Sequence, residues 1–203
     1  RNRIYELFEA NQTVSFGQAV TIAQWASAQT GVRAAFLLAV LTQESSLGKN
    51  VGTCNRPGDP PSKSWRNIMK PSRDHAPYLR ITATLGLNPD TMPLSCPWQG
   101  GWGGAMGPAQ FIPSTWILYE AKVAGATGHN PPNPWDAGDA FMAAGLYLKD
   151  SGAAKRTAAA ERTASICYLA GCANAKKKAY AFYGDDVAEL AMKYQKQIDI
   201  LGG

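Results

Sequence analysis

The stretch from Gly31 to Ser46, GVRAAFLLAVLTQESS, decides the class of this fold. Ala34, Leu37, Leu38, Leu41 and Ser45 recur at helical spacing, and no Gly or Pro follows the first residue, so the segment is expected to be a buried helix. Its stop is expected near Gly48, the residue type that best tolerates a left-handed cap. Glu44 follows Leu37, Val40 and Leu41 by seven, four and three positions, which puts all four on one helix face. A carboxyl aimed at apolar neighbours resists ionisation, and its raised pKa keeps it protonated as a general acid near neutrality. The alternative is a surface glutamate on a fraying last turn.

The same periodicity extends outward on both sides. Ser15-Phe16-Gly17-Gln18 has the form of a capping box, and Ala19, Ile22, Ala23 and Ala26 follow as one stripe, giving a helix from Phe16 to Ala28. Downstream, Pro113 suits a first helical position ahead of Trp116, Ile117 and Ala121. Asp136 and Asp139 start a helix over Ala137 to Lys149, with Gly152 as its stop. Further helices are expected over Arg156 to Leu169 and Asp186 to Leu201. No segment alternates with period two, so the expected class is mainly α.

Between Gly48 and Gly104 the pattern collapses under repeated prolines and glycines, with a short helix expected around Ala76 to Leu85. A structureless loop of that length is improbable inside a compact domain. Residues 49–103 are therefore read as an ordered inserted subdomain or lid within a single domain spanning 1–203. Of the three pairings open to four cysteines, the two sequential ones, Cys54 with Cys96 and Cys167 with Cys172, are expected; four reduced thiols in a core are the alternative. Persistent bridges point to an oxidising compartment, hence to an exported protein of the periplasm, cell wall or extracellular space.

Composition sets the outer bounds. A chain with 45% hydrophobic and 17% charged residues can bury a core, which excludes disorder and coiled coils. No apolar run approaches the roughly 20 residues of a membrane-spanning helix. The sequence opens at Arg1 without an initiator Met, so a mature fragment that has lost a targeting segment is expected. Net charge +5 and a pI near 9.0 favour a polyanionic neighbour. Lys176, Lys177 and Lys178 are read as a solvated helix face rather than a phosphate strip; the other basic residues are dispersed, and no nucleic-acid partner is expected.

A second chemical feature is GAMGPAQFIPSTW, Gly104 to Trp116. Its glycines admit close backbone approach, and Gln110 offers a donor and an acceptor beside apolar Met106 and Phe111. That mixture suits a sugar, whose polar rim needs forked hydrogen bonds and whose ring face needs an apolar surface. The bland reading is a Gly-rich connection over an ordinary core. Of six tryptophans, Trp65, Trp98, Trp102 and Trp135 fall in loop-like context where an indole can meet a pyranose, whereas Trp25 and Trp116 are assigned to packing.

Taken together, Thr42-Gln43-Glu44-Ser45-Ser46-Leu47-Gly48 and the distant GAMGPAQFIPSTW resemble the lytic transglycosylases of peptidoglycan, closest to the membrane-bound B-type enzymes. Asn133 to Gly152 and Ala181 to Ala188 are similar to further segments of that family. The resemblance implies a lysozyme-like helical fold, with Glu44 as the sole catalytic acid and base and Ser45 its hydroxyl neighbour. Met106 and Gln110 would hold the glycan, with Phe111 and Trp102 as further substrate contacts. Tyr168 matches the tyrosine of a Tyr-Asn-x-Gly motif, although Leu169 replaces the Asn and Cys167 and Cys172 flank the turn.

The implied reaction cleaves the bond between N-acetylmuramic acid and N-acetylglucosamine without water, closing a 1,6-anhydro ring, so no second carboxylate is needed. Asp59 and Asp74 match no carboxylate of the family. No metal or other cofactor is expected, because no Asp-x-Asp-x-Asp-Gly loop occurs and His75 and His129 keep no ligand spacing with the cysteines. Expected partners are peptidoglycan strands and cell-envelope proteins, with a monomeric chain. Two readings compete: a goose-type lysozyme-like hydrolase, and a catalytically silent glycan-binding module.

Overall fold

The computed structural model describes residues 14–202, so the expectation attached to Arg1 lies outside the described residues. Among the described residues eight α-helical segments follow one another: α1 Phe16–Thr30, α2 Ala34–Ser45, α3 Trp65–Ile68, α4 Ala76–Leu85, α5 Pro113–Thr127, α6 Ala137–Asp150, α7 Ala158–Ala170 and α8 Ala181–Leu201. Among the described residues the only β structure is isolated bridges, so the chain is mainly α as expected. Contacts divide it into two compact units. Of the described residues, one comprises 14–47 with 144–202 and the other 48–143.

In the first unit α2 is the central element. Phe36 to Leu41 are all buried, which removes most of that surface from water and needs neighbours on every side. They come from α8, the helix in closest contact with α2, and from α1, while α7 packs on α8. The expected capping box of α1 forms, with Ser15 Oγ accepting from Gln18 N at 3.2 Å and Gln18 Oε1 accepting from Ser15 N at 2.8 Å. Arg33 grips Glu161 through two nitrogens, at 3.0 and 2.9 Å, tying the start of α2 to α7.

Several boundaries depart from the sequence reading. α2 ends at Ser45, ahead of the stop expected near Gly48, because Ser46 already takes the left-handed conformation at φ 51° and donates its N–H to Thr42 O. α8 starts at Ala181 rather than Asp186: Gly184 looks like a break in sequence, yet a Cβ there would sit 3.1 Å from Arg162 Cγ, so the glycine admits a close neighbour within the helix. α7 starts at Ala158 behind a Thr157 cap, with Arg156 left-handed outside it. Lys176, Lys177 and Lys178 are exposed as expected, but they run from a turn into the 3-10 segment Lys178–Tyr180 rather than along an α-helix face.

The second unit is built on small clamps. Cys54 and Leu94 exchange backbone hydrogen bonds of 3.0 Å in both directions, and Cys54 is disulfide-bonded to Cys96, as expected. Buried Asn55, at φ 61°, donates to Pro89 O and Met92 O at 2.8 Å and accepts from Trp65 N at 3.0 Å. Trp65 is 5% exposed and packs on Tyr78 and His75, which removes it from the expected sugar-facing set. Asp74, fully buried, accepts from Ser114 N at 3.1 Å and so caps α5. The second expected disulfide, Cys167 to Cys172, closes the end of α7 in the first unit.

Candidate active site

Glu44 stands on the last turn of α2, within the apolar register that its spacing predicts. Its residue keeps partial access to solvent, but the carboxyl is crowded by protein. Desolvation pushes its pKa from 4.5 up to about 7, against the opposing pull of a hydrogen bond from Tyr183. Tyr183 Oη donates to Glu44 Oε1 at 2.5 Å from the first turns of α8. The two effects oppose each other, and the balance leaves a carboxyl that can both hold and release a proton near neutrality.

Two more tyrosines complete the surroundings. Burial, with the Glu44 charge second, raises the pKa of Tyr168 well above its ordinary value, and the same causes act on Tyr183. Both phenols therefore stay protonated and remain donors. The Tyr168 ring meets Tyr147 edge-on at 5.3 Å, and Tyr147 Oη donates to Cys167 O at 2.9 Å, beside the Cys167–Cys172 bridge. Thr42 on α2 shares a 2.7 Å hydrogen bond with Tyr194 on α8, fixing the two helices next to the Glu44–Tyr183 pair. Ser45 is 2% exposed, and its Oγ donates back to Leu41 O at 3.2 Å.

In the second unit the Gly104–Trp116 segment forms a tight turn. Met106 N donates to Phe111 O at 2.9 Å, and Gln110 N to Gly107 O at 3.1 Å. Gly107 is left-handed, at φ 63°, and a Cβ there would lie 1.8 Å from Pro134 O, so only glycine fits. Gln110 is itself left-handed at φ 55°, and its Nε2 donates to Gly107 O at 2.9 Å and Val51 O at 3.3 Å. With the amide nitrogen held, Oε1 is presented as an acceptor. Met106 and Phe111 are 0% and 4% exposed, so their side chains floor the turn. Trp102 and Trp98 are exposed, and Trp135 is half-buried with Nε1 on Pro93 O at 3.0 Å.

The family comparison settles the affiliation. Residues 12–196 match the family described as Transglycosylase SLT domain. The chain belongs to that family. Two solved structures resemble this SLT-domain chain: soluble lytic transglycosylase SltB1 from Pseudomonas aeruginosa, 20% identical over 68% of this chain and 44% of that one at TM-score 0.46, and a 36 kDa muramidase/transglycosylase, 20% identical over 74% and 48% at TM-score 0.45. The SLT-domain chain thus spans less than half the length of either. No curated protein matches it.

Of the site residues expected from sequence, the structure brings Glu44, Ser45 and Tyr168 together in one unit of the SLT-domain chain, and Met106, Gln110 and Phe111 in the other. Tyr183 is the residue that the sequence reading missed. Its signal was present: Tyr183, Val187, Ala191 and Tyr194 form one stripe, which a helix starting at Asp186 cuts short. Among the described residues one group, His129, Asp136 and Asp139, has the donor types and closeness to hold a metal ion. Its carboxylates are already used in caps: Asp136 Oδ1 accepts from Asp139 N at 2.9 Å, and Asp139 Oδ2 from Asn133 N at 2.9 Å and from or to His129 Nδ1 at 3.0 Å.

Proposed function

We propose that this SLT-domain chain is a peptidoglycan lytic transglycosylase that cleaves the β-1,4 bond from N-acetylmuramic acid to N-acetylglucosamine and leaves 1,6-anhydro ends. The observation that carries this reading is Glu44, a crowded carboxyl with a pKa of about 7 and a phenol donor on one oxygen. In the first half of the reaction its proton passes to the glycosidic oxygen as the C1–O bond breaks, and the sugar takes on oxocarbenium character. The new carboxylate keeps the Tyr183 hydrogen bond, which favours the charged form. In the second half it removes the proton from the muramoyl C6 hydroxyl as that oxygen bonds to C1. Glu44 is then protonated again, and the balance closes without water.

A retaining or inverting hydrolase uses a second carboxylate. Asp74 is fully buried and committed to Ser114 N and Arg73, while Asp59 accepts from Arg56 N at 2.9 Å in its own turn. Both engagements favour the non-hydrolytic route over a two-carboxylate hydrolase; a goose-type hydrolase with a single glutamate is separated from it by its products. Within this reading Gln110 and Trp102 contact the glycan, Met106 and Phe111 support Gln110 from below, and Ser45 and Tyr168 belong to the surroundings of Glu44. We take residues 49–103 as an insertion in a lysozyme-like domain of B-type affinity. The chain acts as an exported enzyme, a location that the two disulfides support.

Product mass analysis of digested sacculi tests the proposal. Anhydro-muropeptides, one water lighter than hydrolysed ends, are expected from the native chain and none from Glu44→Gln. Hydrated ends, or equal turnover by the variant, would overturn it.

A further inference from the structure

The run Cys167-Tyr168-Leu169-Ala170-Gly171-Cys172 ends α7, and its two cysteines are joined across the turn. Tyr168 therefore sits on a last helical turn, where carbonyls lack intrahelical partners and the backbone frays. Leu169 brings no polar side chain to steady it. The support comes from outside the helix. Cys167 O accepts from Gly171 N at 2.8 Å and from Tyr147 Oη at 2.9 Å. The peptide plane that starts at this carbonyl carries Tyr168 N, so holding the oxygen fixes the direction in which Tyr168 leaves the backbone.

The contacts close a circuit between the ends of two helices. Tyr147 lies on α6, and its ring meets the Tyr168 ring edge-on at 5.3 Å. Ser151, just beyond α6, donates its Oγ to Tyr147 O at 3.0 Å, and that Oγ lies 3.9 Å from Cys172 Sγ. From Cys172 the disulfide returns to Cys167, which is 1% exposed. Asn174 Nδ2 donates to Ala170 O at 2.7 Å and satisfies another terminal carbonyl. Every member of the circuit belongs to the unit that also holds Glu44 and Tyr183. Because α7 packs on α8 and α8 on α2, a displaced α7 terminus disturbs the packing around Glu44, whose charge already acts on Tyr168.

We propose that Tyr147 and the Cys167–Cys172 bridge form a positioning unit that holds Tyr168 against Glu44 and keeps water from the carboxyl, without touching the substrate. The inference rests on the reading of Glu44 as acid and base. A phenol on a frayed terminus would sample several positions, and a misplacement of about 1 Å near reacting groups costs up to about 100-fold in rate. A covalent link between residues five apart in sequence holds the turn where side-chain hydrogen bonds from Leu169 cannot.

Kinetics on purified glycan strands and carbon NMR of the labelled Glu44 carboxyl test this, in the full chain with the Cys54–Cys96 bridge intact. Joint replacement Cys167→Ala and Cys172→Ala is expected to lower kcat about tenfold with KM changed less than about twofold. Tyr147→Phe, which keeps the ring and loses the hydrogen bond, should lower kcat about threefold. In a Tyr168→Phe background the same changes should add less than about twofold, because the route to Glu44 is already cut. With the bridge open, water reaches the carboxyl and its titration should move from about 7 toward 4.5 by at least about half a pH unit. Tyr183 of α8 and Tyr168 of α7, which face it, stay protonated throughout that range. Additive losses, a raised KM at unchanged kcat, or a Glu44 titration that stays put would each overturn the proposal. Should the double alanine protein fail to fold by urea unfolding, Tyr147→Phe reads the same three quantities. A native chain that turns over no strands would sink the acid-base reading of Glu44, and the titration would then decide by itself whether the bridge shields the carboxyl.

Discussion

Replacing Glu44 by Gln should raise the stability of the folded chain, and the gain should depend on pH in a way that only this carboxyl can cause. The folded pKa is about 7 against 4.5 for an unperturbed glutamate, so between those values the native chain binds more protons at this site than the unfolded one. Stability therefore falls as pH rises through that window, and the loss is complete above pH 7. A tenfold change in proton affinity corresponds to about 1.36 kcal/mol, so the gap between the two pKa values amounts to about 3 kcal/mol. Gln keeps the shape and still accepts from Tyr183, but it has no charge to desolvate. Urea unfolding with disulfides intact, run on both proteins between pH 4 and 8, gives the difference directly, since every other group titrates alike in the two. The variant should match the native chain near pH 4 and exceed it by about 3 kcal/mol at pH 8. A difference that stays flat over this range would show that the carboxyl is well solvated, and the argument for a proton held near neutrality would collapse.

Tyr183→Phe removes the one interaction that lowers the Glu44 pKa, so the carboxyl should titrate about one pH unit higher, read by carbon NMR of the labelled side chain or by an alkaline shift of the falling limb of kcat/KM. Gly107→Ala should prevent the Gln110 turn from forming, because its Cβ would collide with Pro134 O in a backbone region that alanine disfavours; lost glycan binding together with lowered thermal stability is expected. Replacing both Cys54 and Cys96 by Ser should cost about 4 kcal/mol, the chain-entropy value for residues 42 apart, measured as a lower urea midpoint.

What the sequence disclosed and what it hid follow from the range of the interactions involved. α1, α2 and α4 were legible because capping chemistry and apolar spacing act within one or two turns, and the Gly86 stop after α4 is of the same local kind. Glu44 was legible as a carboxyl set in an apolar register. Tyr183 was hidden because it lies 139 residues away in sequence, and only tertiary packing brings its phenol onto the carboxyl. Trp65 was misjudged for the opposite reason: its neighbours, Pro60, Pro61 and Ser64, read as loop, yet Asn55 captures its backbone N–H and turns the indole inward.

The order of these dependencies also explains why the Pro-rich stretch 49–103 is ordered at all. It has few residues in long helices, so it cannot bury a continuous stripe; its rigidity comes from discrete polar hubs, each satisfying several backbone groups at once. Asn55 quenches two carbonyls and one N–H, and Asp74 satisfies an N–H at the start of α5. Unmet, each of those buried groups would cost about 1 to 3 kcal/mol. A segment held in this way can keep Val51 O against the Gln110 amide and Gly52 O against the Arg56 guanidinium without a large core. The positions of the Gln110 amide and the Arg56 guanidinium thus depend on two consecutive carbonyls whose directions Gly52 and the Cys54 clamp determine.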